Sequence, residues 1–188
     1  MSTNRPFGDR RTFLQGLAAT GVLIPAMAYG QENPGPQRNQ SSFRARHWQD
    51  FYPSLGKGVL LADVTSRAVH FWSGDESVHF VFPCAIPITD ELTRRGQTVR
   101  KVANPPWTPT PSMRVKDPTL PQRVEGGAPE NPLGRFGLYL GWPAYLVHGT
   151  HDTRKIGRRS SSGCYGLYNE HVEKLYAVAE IGTQVTVF

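Results

Sequence analysis

Short runs of large apolar residues, separated by turn-forming residues, dominate the chain from position 58 onward. Residues 58–63, 68–72 and 77–83 follow one another closely and are rich in Val, Leu, Phe and His. The polar residues between these runs are typical of the tight turns that join consecutive antiparallel strands. The pattern therefore predicts three neighbouring β-strands at the start of a folded domain.

The second half of the chain repeats this pattern and adds one helix. Residues 135–140 and 144–148 have strand composition, and residues 157–166 are rich in Gly and Ser, which predicts a turn. Asn169 then has the position of a helix N-cap, because apolar residues follow it at helical spacing. Those apolar residues are Val172, Leu175, Tyr176 and Ala179.

Residues 185–187 return as a closing strand after Gly182, which ends the helix. Taken together, the runs predict a mainly β fold with one or more short helices, one of them directly after the Gly-rich turn.

Residues 104–132 interrupt the β pattern with many prolines and few β-branched residues. We expect a long ordered or semi-ordered loop here, and loops of this length are often functional. Trp107 and the prolines of residues 105–111 either cover a binding site as a lid or pack rigidly on the sheet. We favour the lid and count Trp107 among the substrate-binding residues.

The N-terminal part has the order of regions found in exported proteins. Arg10 and Arg11 precede a weakly apolar run that ends in Ala26-Met27-Ala28, so residues 1–28 resemble a twin-arginine signal peptide. The run is too short and too rich in Gly and Pro for a stable membrane anchor. Export to the periplasm or cell envelope follows as an expectation.

Residues 29–50 have linker composition, being rich in Gln, Asn, Pro and Ser near their start. We expect the folded domain to begin between Phe43 and Phe51, and we assign residues 51–188 to it.

The charge of the chain is a weak guide to its partners. The formal net charge is +6, but the basic residues are scattered and do not gather with aromatics on one element. This distribution argues against nucleic-acid binding and is compatible with an acidic polymer such as cell wall. The oligomeric state stays open.

The chain has two cysteines in different settings. Cys164 lies among small residues that let the backbone turn and expose a side chain, whereas Cys84 lies among bulky apolar neighbours. The setting of Cys164 suits a reactive thiol, for which His148 would be the natural partner, and Cys84 is interpreted as a buried strand residue. A disulfide between the two cysteines is the alternative.

The remaining histidines leave one further alternative open. His148, His151 and Cys164 supply nitrogen and sulfur atoms that zinc accepts, although no fourth ligand is evident. We expect no metal and no cofactor. His70 and His79 are interpreted as ordinary strand residues, and His171 as a solvated residue of the first helical turn.

Several separated motifs resemble one family. They are His148-Gly149-Thr150, Ile156-Gly157, Ser161-Ser162-Gly163-Cys164, Asn169 with its helix, and Gly182-Thr183-x-Val185, with Asn104-Pro105-Pro106-Trp107-Thr108-Pro109 and Asn131-Pro132-Leu133-Gly134 upstream. In this order they resemble the L,D-transpeptidase (YkuD-like) catalytic domain over residues 58–188. The resemblance implies a β-sandwich or flattened barrel that acts on peptidoglycan stem peptides.

The resemblance also implies a mechanism. The Cys164 thiolate attacks the carbonyl of the third stem-peptide residue, releases D-alanine and passes the acyl group to an amine, giving a 3-3 cross-link. His148 acts as the base, with its ring held by a backbone carbonyl rather than a carboxylate. Ser162, Gly163 and Gly149 supply oxyanion or backbone support.

Two positions depart from the family pattern. Ser162 stands where the family commonly has His, and Gly166 stands where it has Arg. Arg158 or Arg159 could supply the missing charge, so both are candidate substrate-binding residues. A hydrolase that transfers the acyl group to water, and a non-catalytic peptidoglycan-binding protein, are the alternative functions.

Overall fold

The computed structural model describes residues 44–89 and 93–188. The predicted signal peptide, with Arg10 and Arg11, and the first part of the predicted linker lie outside these ranges. The described residues form ten strands, two α-helices and two short 3-10 helices.

The strands are β1 (Val59–Asp63), β2 (Ala68–Trp72), β3 (His79–Pro83), β4 (Ile86–Pro87), β5 (Arg94–Ala103), β6 (Phe136–Leu140), β7 (Leu146–His148), β8 (Arg159–Ser161), β9 (Tyr165–Gly166) and β10 (Gln184–Val187). The helices are α1 (Pro111–Lys116) and α2 (Asn169–Val178), and the 3-10 helices are Trp48–Asp50 and Thr153–Lys155.

Eight strands form one sheet in the order β3-β2-β1-β10-β5-β6-β7-β9. Neighbouring strands are antiparallel except for two parallel pairs, β1 with β10 and β7 with β9. Strands β4 and β8 form a separate parallel pair, and Ala85 links this pair to Gly166 through a bridge. The mainly β class is confirmed, as a curled half-barrel sheet with few helices.

The curl of the sheet brings both of its ends onto one core. Fully buried residues of β1 to β3 meet those of β6, β7 and α2 in a single apolar cluster. Its members include Leu60, Val69, Phe71, Leu138, Val147, Val172 and Leu175, each with no exposed surface. Burying each such side chain contributes about 1.5–3 kcal/mol, so this cluster fixes the strands that carry the candidate site.

The opposite face of β1 and β2 is covered by the segment before β1. Val59, Leu61 and Trp72 form a second buried cluster against Trp48 and the residues that follow it. Arg46 donates to Asp63 at 2.5 and 2.8 Å, although residue 46 falls within the predicted linker. The folded region therefore extends to residues before 51.

Strand β5 was missed by the sequence pattern, although it lies in the middle of the large sheet. Its basic residues hide the alternation, because each places its charged group over an aromatic ring instead of pointing a plain apolar side chain inward. Arg100 lies 3.8 Å from the ring centre of Tyr139, and Lys101 lies 4.5 Å from that of Tyr176.

Helix α1 is a second element that the sequence reading missed. The prediction gave residues 104–132 as loop, but Pro111–Lys116 is helical. Thr110 is its N-cap and accepts from the Met113 N–H, and proline fits the first helical position because it has no N–H to satisfy.

Two smaller expectations near α2 were wrong. The N-cap of α2 is Tyr168, and Asn169 is the first helical residue, because its carboxamide bonds to other loops instead of its own helix. The predicted turn at residues 157–166 contains two short strands, β8 and β9. Within the ranges that the structure describes, no helix has the length and apolarity needed to cross a bilayer.

Candidate active site

Strands β7 and β9 place the two candidate catalytic residues side by side. They pair in parallel with His148 opposite Gly166, and Cys164 comes immediately before β9. Both side chains line one cavity of about 210 Å³. Its remaining walls are Ala85, Trp107, Thr110, Met113, Pro132, Leu133, Ala144, Thr150, Lys155, Ser160, Ser161, Ser162 and Gly166.

A tight turn presents Cys164 to the cavity. The Ser161 hydroxyl donates to the Cys164 carbonyl at 2.5 Å and accepts from the Gly163 N–H at 3.4 Å. Gly163 has φ +144°, and a Cβ there would lie 3.4 Å from the Tyr145 ring. The turn therefore requires glycine at 163, and Ser161 is a supporting residue that sequence reasoning did not single out.

The two cysteines differ as predicted in their surroundings. Both cysteines lie within the described residues and no disulfide joins them, so the alternative of a disulfide between them is not what the structure shows. Cys84 has no exposed surface, and burial raises the pKa of its thiol well above the ordinary value. The Cys164 thiol is partly exposed and donates to the Ala144 carbonyl at 3.4 Å.

His148 is nearly buried and its ring is oriented by the backbone. Its Nδ1 contacts the carbonyl oxygen of Gly149. Burial lowers the pKa of His148 to about 4, with a smaller contribution from the charge of Lys155. The ring is therefore neutral near pH 7. With the proton on Nδ1, Nε2 keeps a lone pair that can accept a proton from a thiol.

The Asn169 side chain supports the loop that carries His148. Its carboxamide accepts from the Arg135 N–H at 3.3 Å and donates to the Thr150 carbonyl at 3.2 Å. Gly134 and Gly149 lie so close to this carboxamide that a Cβ on either would overlap it. Asn169, the first residue of α2, thus holds two loops in place. Its interpretation as an N-cap did not predict this role.

The proline-rich segment forms one wall of the cavity. Trp107 and Val124 exchange two backbone hydrogen bonds of 2.8 Å. Asn131, which is 1% exposed, donates to the Pro105 and Glu125 carbonyls and accepts from the Leu133 N–H. These bonds favour a rigid wall over a moving lid.

The predicted supporting residues divide into two groups. Ser162 and Trp107 line the cavity, and Gly163 forms the turn that presents Cys164. The Gly149 N–H instead donates to the Phe136 carbonyl at 3.1 Å, so Gly149 supports the ring of His148 through its carbonyl and is not an oxyanion donor.

The predicted cationic residues lie elsewhere than expected. Arg158 and Arg159 are exposed and are not among the residues that line the cavity. Lys155, three to four positions earlier and also exposed, does line it. The sequence could not reveal this, because the 3-10 helix Thr153–Lys155 decides which basic residue lies at the cavity.

The other histidines have structural surroundings. His70 lies in β2 and His79 in β3, as predicted. His171 is half-buried against Phe82, with ring centres 4.4 Å apart, so the prediction that it is solvated was wrong. No group of three or more His, Cys, Asp or Glu within residues 44–89 and 93–188, His148, His151 and Cys164 among them, is arranged to hold a metal ion.

Comparisons with known proteins agree on one family. The model of the L,D-transpeptidase catalytic domain (YkuD) matches residues 57–187. One relative is a Fuscovulum blasticum protein whose name describes it as an L,D-transpeptidase in the ATP synthase subunits region. It is 46% identical to this chain over 176 residues. That match covers 93% of this chain and 92% of the relative.

A second relative is longer. YbiS of Escherichia coli K12 also has a name that describes it as an L,D-transpeptidase. It is 35% identical to this chain over 139 residues, and the match covers 70% of this chain and 44% of YbiS. The chain thus spans less than half the length of YbiS.

Solved structures show the same fold. An L,D-transpeptidase from Mycobacterium smegmatis matches with a TM-score of 0.54 at 14% identity, over 70% of this chain and 58% of that one. An L,D-transpeptidase from Mycobacterium tuberculosis matches with a TM-score of 0.52 at 17% identity, over 70% of this chain and 57% of that one.

Proposed function

The chain belongs to the L,D-transpeptidase catalytic domain family, and on that premise we propose that Cys164 and His148 are the catalytic pair of a peptidoglycan cross-linking enzyme. The family makes it an acyltransferase. The observation that carries the residue assignment is the placement of both side chains in one cavity by the β7–β9 pair.

The first half-reaction forms a thioester. The neutral His148 ring takes the proton of the Cys164 thiol, and the thiolate attacks the carbonyl carbon of the third stem-peptide residue. The carbonyl oxygen then carries negative charge. As the C–N bond breaks, His148 returns the proton to the nitrogen of the departing D-alanine, so no net proton is gained or lost.

The second half-reaction transfers the acyl group. An amine of a neighbouring stem peptide attacks the thioester carbon, its proton passes through His148 to the sulfur, and the new peptide bond is the 3-3 cross-link. We assign the stabilisation of the charge that develops on the reacting carbonyl to the Ser162 hydroxyl, because Ser162 lines the cavity beside Cys164.

Mass spectrometry of the products tests the proposal. A tetrapeptide donor mixed with an amine acceptor should yield the cross-linked dimer as the main new species. The Cys164→Ser variant should yield none, since a hydroxyl stays protonated beside the same imidazole. Cys84→Ala is the matched control and should stay active, because Cys84 lies in the core away from the cavity. Accumulation of the shortened tripeptide alone would favour the hydrolase instead.

We further propose that the protein works in the cell envelope after export. The twin-arginine-like leader with Arg10 and Arg11 is the support for export, and the family's substrate, peptidoglycan, lies outside the cytoplasmic membrane.

A further inference from the structure

An open groove adjoins the cavity of Cys164 and His148. It lies on β5, β6 and the turn that follows β6, and it has a volume of about 470 Å³. Ala144 lines both the groove and the cavity. Because the Cys164 thiol donates to the Ala144 carbonyl at 3.4 Å, the groove begins beside the reacting sulfur.

Three local features of the chain shape this groove. The register between β5 and β6 shifts at a bulge around Val99, which is 48% exposed and lines the groove. The absence of a side chain at Gly96 leaves room for the Trp142 indole, since a Cβ there would lie 3.0 Å from it. Ala144 has φ +66°, which is uncommon for a residue with a side chain. The shape of the groove is therefore set by the backbone of β5 and of the turn between β6 and β7.

The lining of the groove combines aromatic surface with a cationic donor. Tyr139 and Trp142 line it and are half-buried. Arg100 also lines it, is exposed and places its guanidinium 3.8 Å from the ring centre of Tyr139. Aromatic side chains offer flat apolar surface, and a guanidinium donates several hydrogen bonds in one plane. An N-acetylated sugar matches this combination, because its ring has an apolar C–H face and its hydroxyl and amide oxygens accept hydrogen bonds.

The proposed reaction determines which part of the donor extends towards the groove. Strand β7 separates the two relevant residues, because Ala144 precedes it and His148 is its last residue. His148 protonates the departing nitrogen, so the leaving residue lies at the His148 end. The retained acyl chain extends from the same carbonyl carbon in a different direction, and the groove is open to it at the Ala144 end.

The length of the retained chain fits this placement. Two stem residues separate the cleaved third residue from the sugar of the glycan strand, and they span at most about 7 Å. Neighbouring strands lie about 4.8 Å apart, so β6 and β5 lie about 5 and 10 Å from β7. The sugar that carries the stem peptide therefore comes to lie over Tyr139 of β6 or Arg100 of β5.

We propose that this groove is a glycan subsite that binds the N-acetylated sugar carrying the donor stem peptide. Trp142 packs against the sugar ring, and Arg100 donates hydrogen bonds to its hydroxyl and amide oxygens. The subsite selects stem peptides that are attached to glycan over free peptides. The proposal rests on the proposed function, because the direction of the acyl chain follows from the roles of Cys164 and His148.

Two donors that differ only in the sugar test this selection with the full chain. One is a tetrapeptide linked to the disaccharide of N-acetylglucosamine and N-acetylmuramic acid, and the other is the same tetrapeptide with an N-lactyl group. For each donor, kcat/KM is measured for release of D-alanine. The wild-type protein should prefer the disaccharide donor about 10-fold, mainly through KM. Trp142→Ala and Arg100→Gln should each reduce this preference several-fold.

Matched variants separate the subsite from structural damage. Arg95→Gln makes the same change on the same strand, at an exposed arginine that lies over Tyr52 and outside the groove, and should leave the preference intact. Trp142→Phe should retain part of the preference, since an aromatic ring remains. No preference in the wild-type protein, or equal losses on both donors in Trp142→Ala, would overturn the proposal. A change confined to the KM of the amine acceptor would assign the groove to the second stem peptide and would also overturn it.

Binding without turnover separates failure of the subsite from failure of the proposed function. A disaccharide-dipeptide lacks the cleaved bond, and its dissociation constant is measured by isothermal titration beside that of the N-lactyl dipeptide. The disaccharide compound should bind about 10-fold more tightly to the wild-type protein, and Trp142→Ala should remove the difference. If the two compounds bind equally, the subsite is wrong whether or not the tetrapeptides are cleaved. If the difference is found but neither tetrapeptide releases D-alanine, the proposed function fails and the sugar subsite stands.

Discussion

The carboxamide oxygen of Asn169 lies against the backbone of Gly149, so closely that no side chain fits at position 149. This contact joins the start of α2 to the residue whose carbonyl orients His148. The position of the base is therefore set by packing across two elements, and not by its own strand alone.

Adding a methyl group at position 149 should displace this loop. We expect Gly149→Ala to destabilise the protein by about 1–3 kcal/mol, because the new Cβ overlaps the Asn169 carboxamide. Activity should fall further than stability, since the His148 ring moves with the loop. Thermal unfolding and D-alanine release measure the two effects. The double variant Gly149→Ala with Asn169→Ala should recover part of the stability, and strict additivity would contradict this account.

The two hydrogen bonds of Asn169 can be separated by substitution. Asn169→Asp keeps an acceptor for the Arg135 N–H but loses the donor to the Thr150 carbonyl, and Asn169→Ala loses both. We expect a larger loss of stability in the alanine variant, about 1–3 kcal/mol in total, and reduced turnover in both. Denaturant unfolding with parallel kinetics gives the ranking. Glu170→Ala, an exposed change at the next position, is the matched control.

The sequence and the structure agree best where the apolar pattern is regular. Strands β1 and β2 follow the predicted runs because both of their faces are buried, and β3 does so because Phe80 and Phe82 alternate with the exposed His79 and Val81. Strand β5 was not predicted because Arg100 and Lys101 place their charged groups over tyrosines of other elements, and no local sequence pattern reveals such contacts. Cys164 and His148 could be named as candidates from the resemblance of their motifs to the family. The supporting role of Asn169 could not, since its two hydrogen-bond partners lie 34 and 19 positions away in sequence.

Acid should destabilise the fold through two buried histidines. Burial lowers the pKa of both His70 and His148 to about 4, below the ordinary 6.5. The unfolded chain binds more protons between these values, so stability is complete above pH 6.5, falls as the pH drops towards 4, and levels off below it. Each residue accounts for up to about 3 kcal/mol.

Replacing one of the two separates their contributions. Neither ring nitrogen of His70 has a hydrogen-bond partner among the described residues, and its ring stacks near Trp72. His70→Phe should therefore fit the site and reduce the loss of stability between pH 6.5 and 4 by about half. Denaturant unfolding at several pH values measures the slope. An unchanged slope in His70→Phe would show that His70 is not the titrating group.

Export should depend on the arginine pair. Replacing Arg10 and Arg11 by lysine keeps the charge but changes the motif, so we expect precursor to accumulate in the cytoplasm. Fractionation with an antibody to the folded domain measures the distribution. Arg5→Lys, outside the pair, is the control and should leave export intact; normal export of the double variant would refute the twin-arginine interpretation.

The wall formed by Trp107 and α1 should decide how much acyl group is lost to water. Trp107 and Met113 both line the cavity. Trp107→Ala should therefore widen the cavity around the thioester before an amine attacks it. Water then reaches the thioester more readily, and the ratio of tripeptide to cross-linked dimer should rise several-fold while acylation of Cys164 persists.

Thr110→Ala should have a smaller effect in the same direction, because it removes the N-cap of α1, which is worth about 1 kcal/mol. Val115→Ala is the matched control, since Val115 belongs to the same helix and is 82% exposed. The product ratio is read by mass spectrometry at fixed donor and acceptor concentrations. A ratio that stays constant in Trp107→Ala would mean that the wall positions substrate without excluding water.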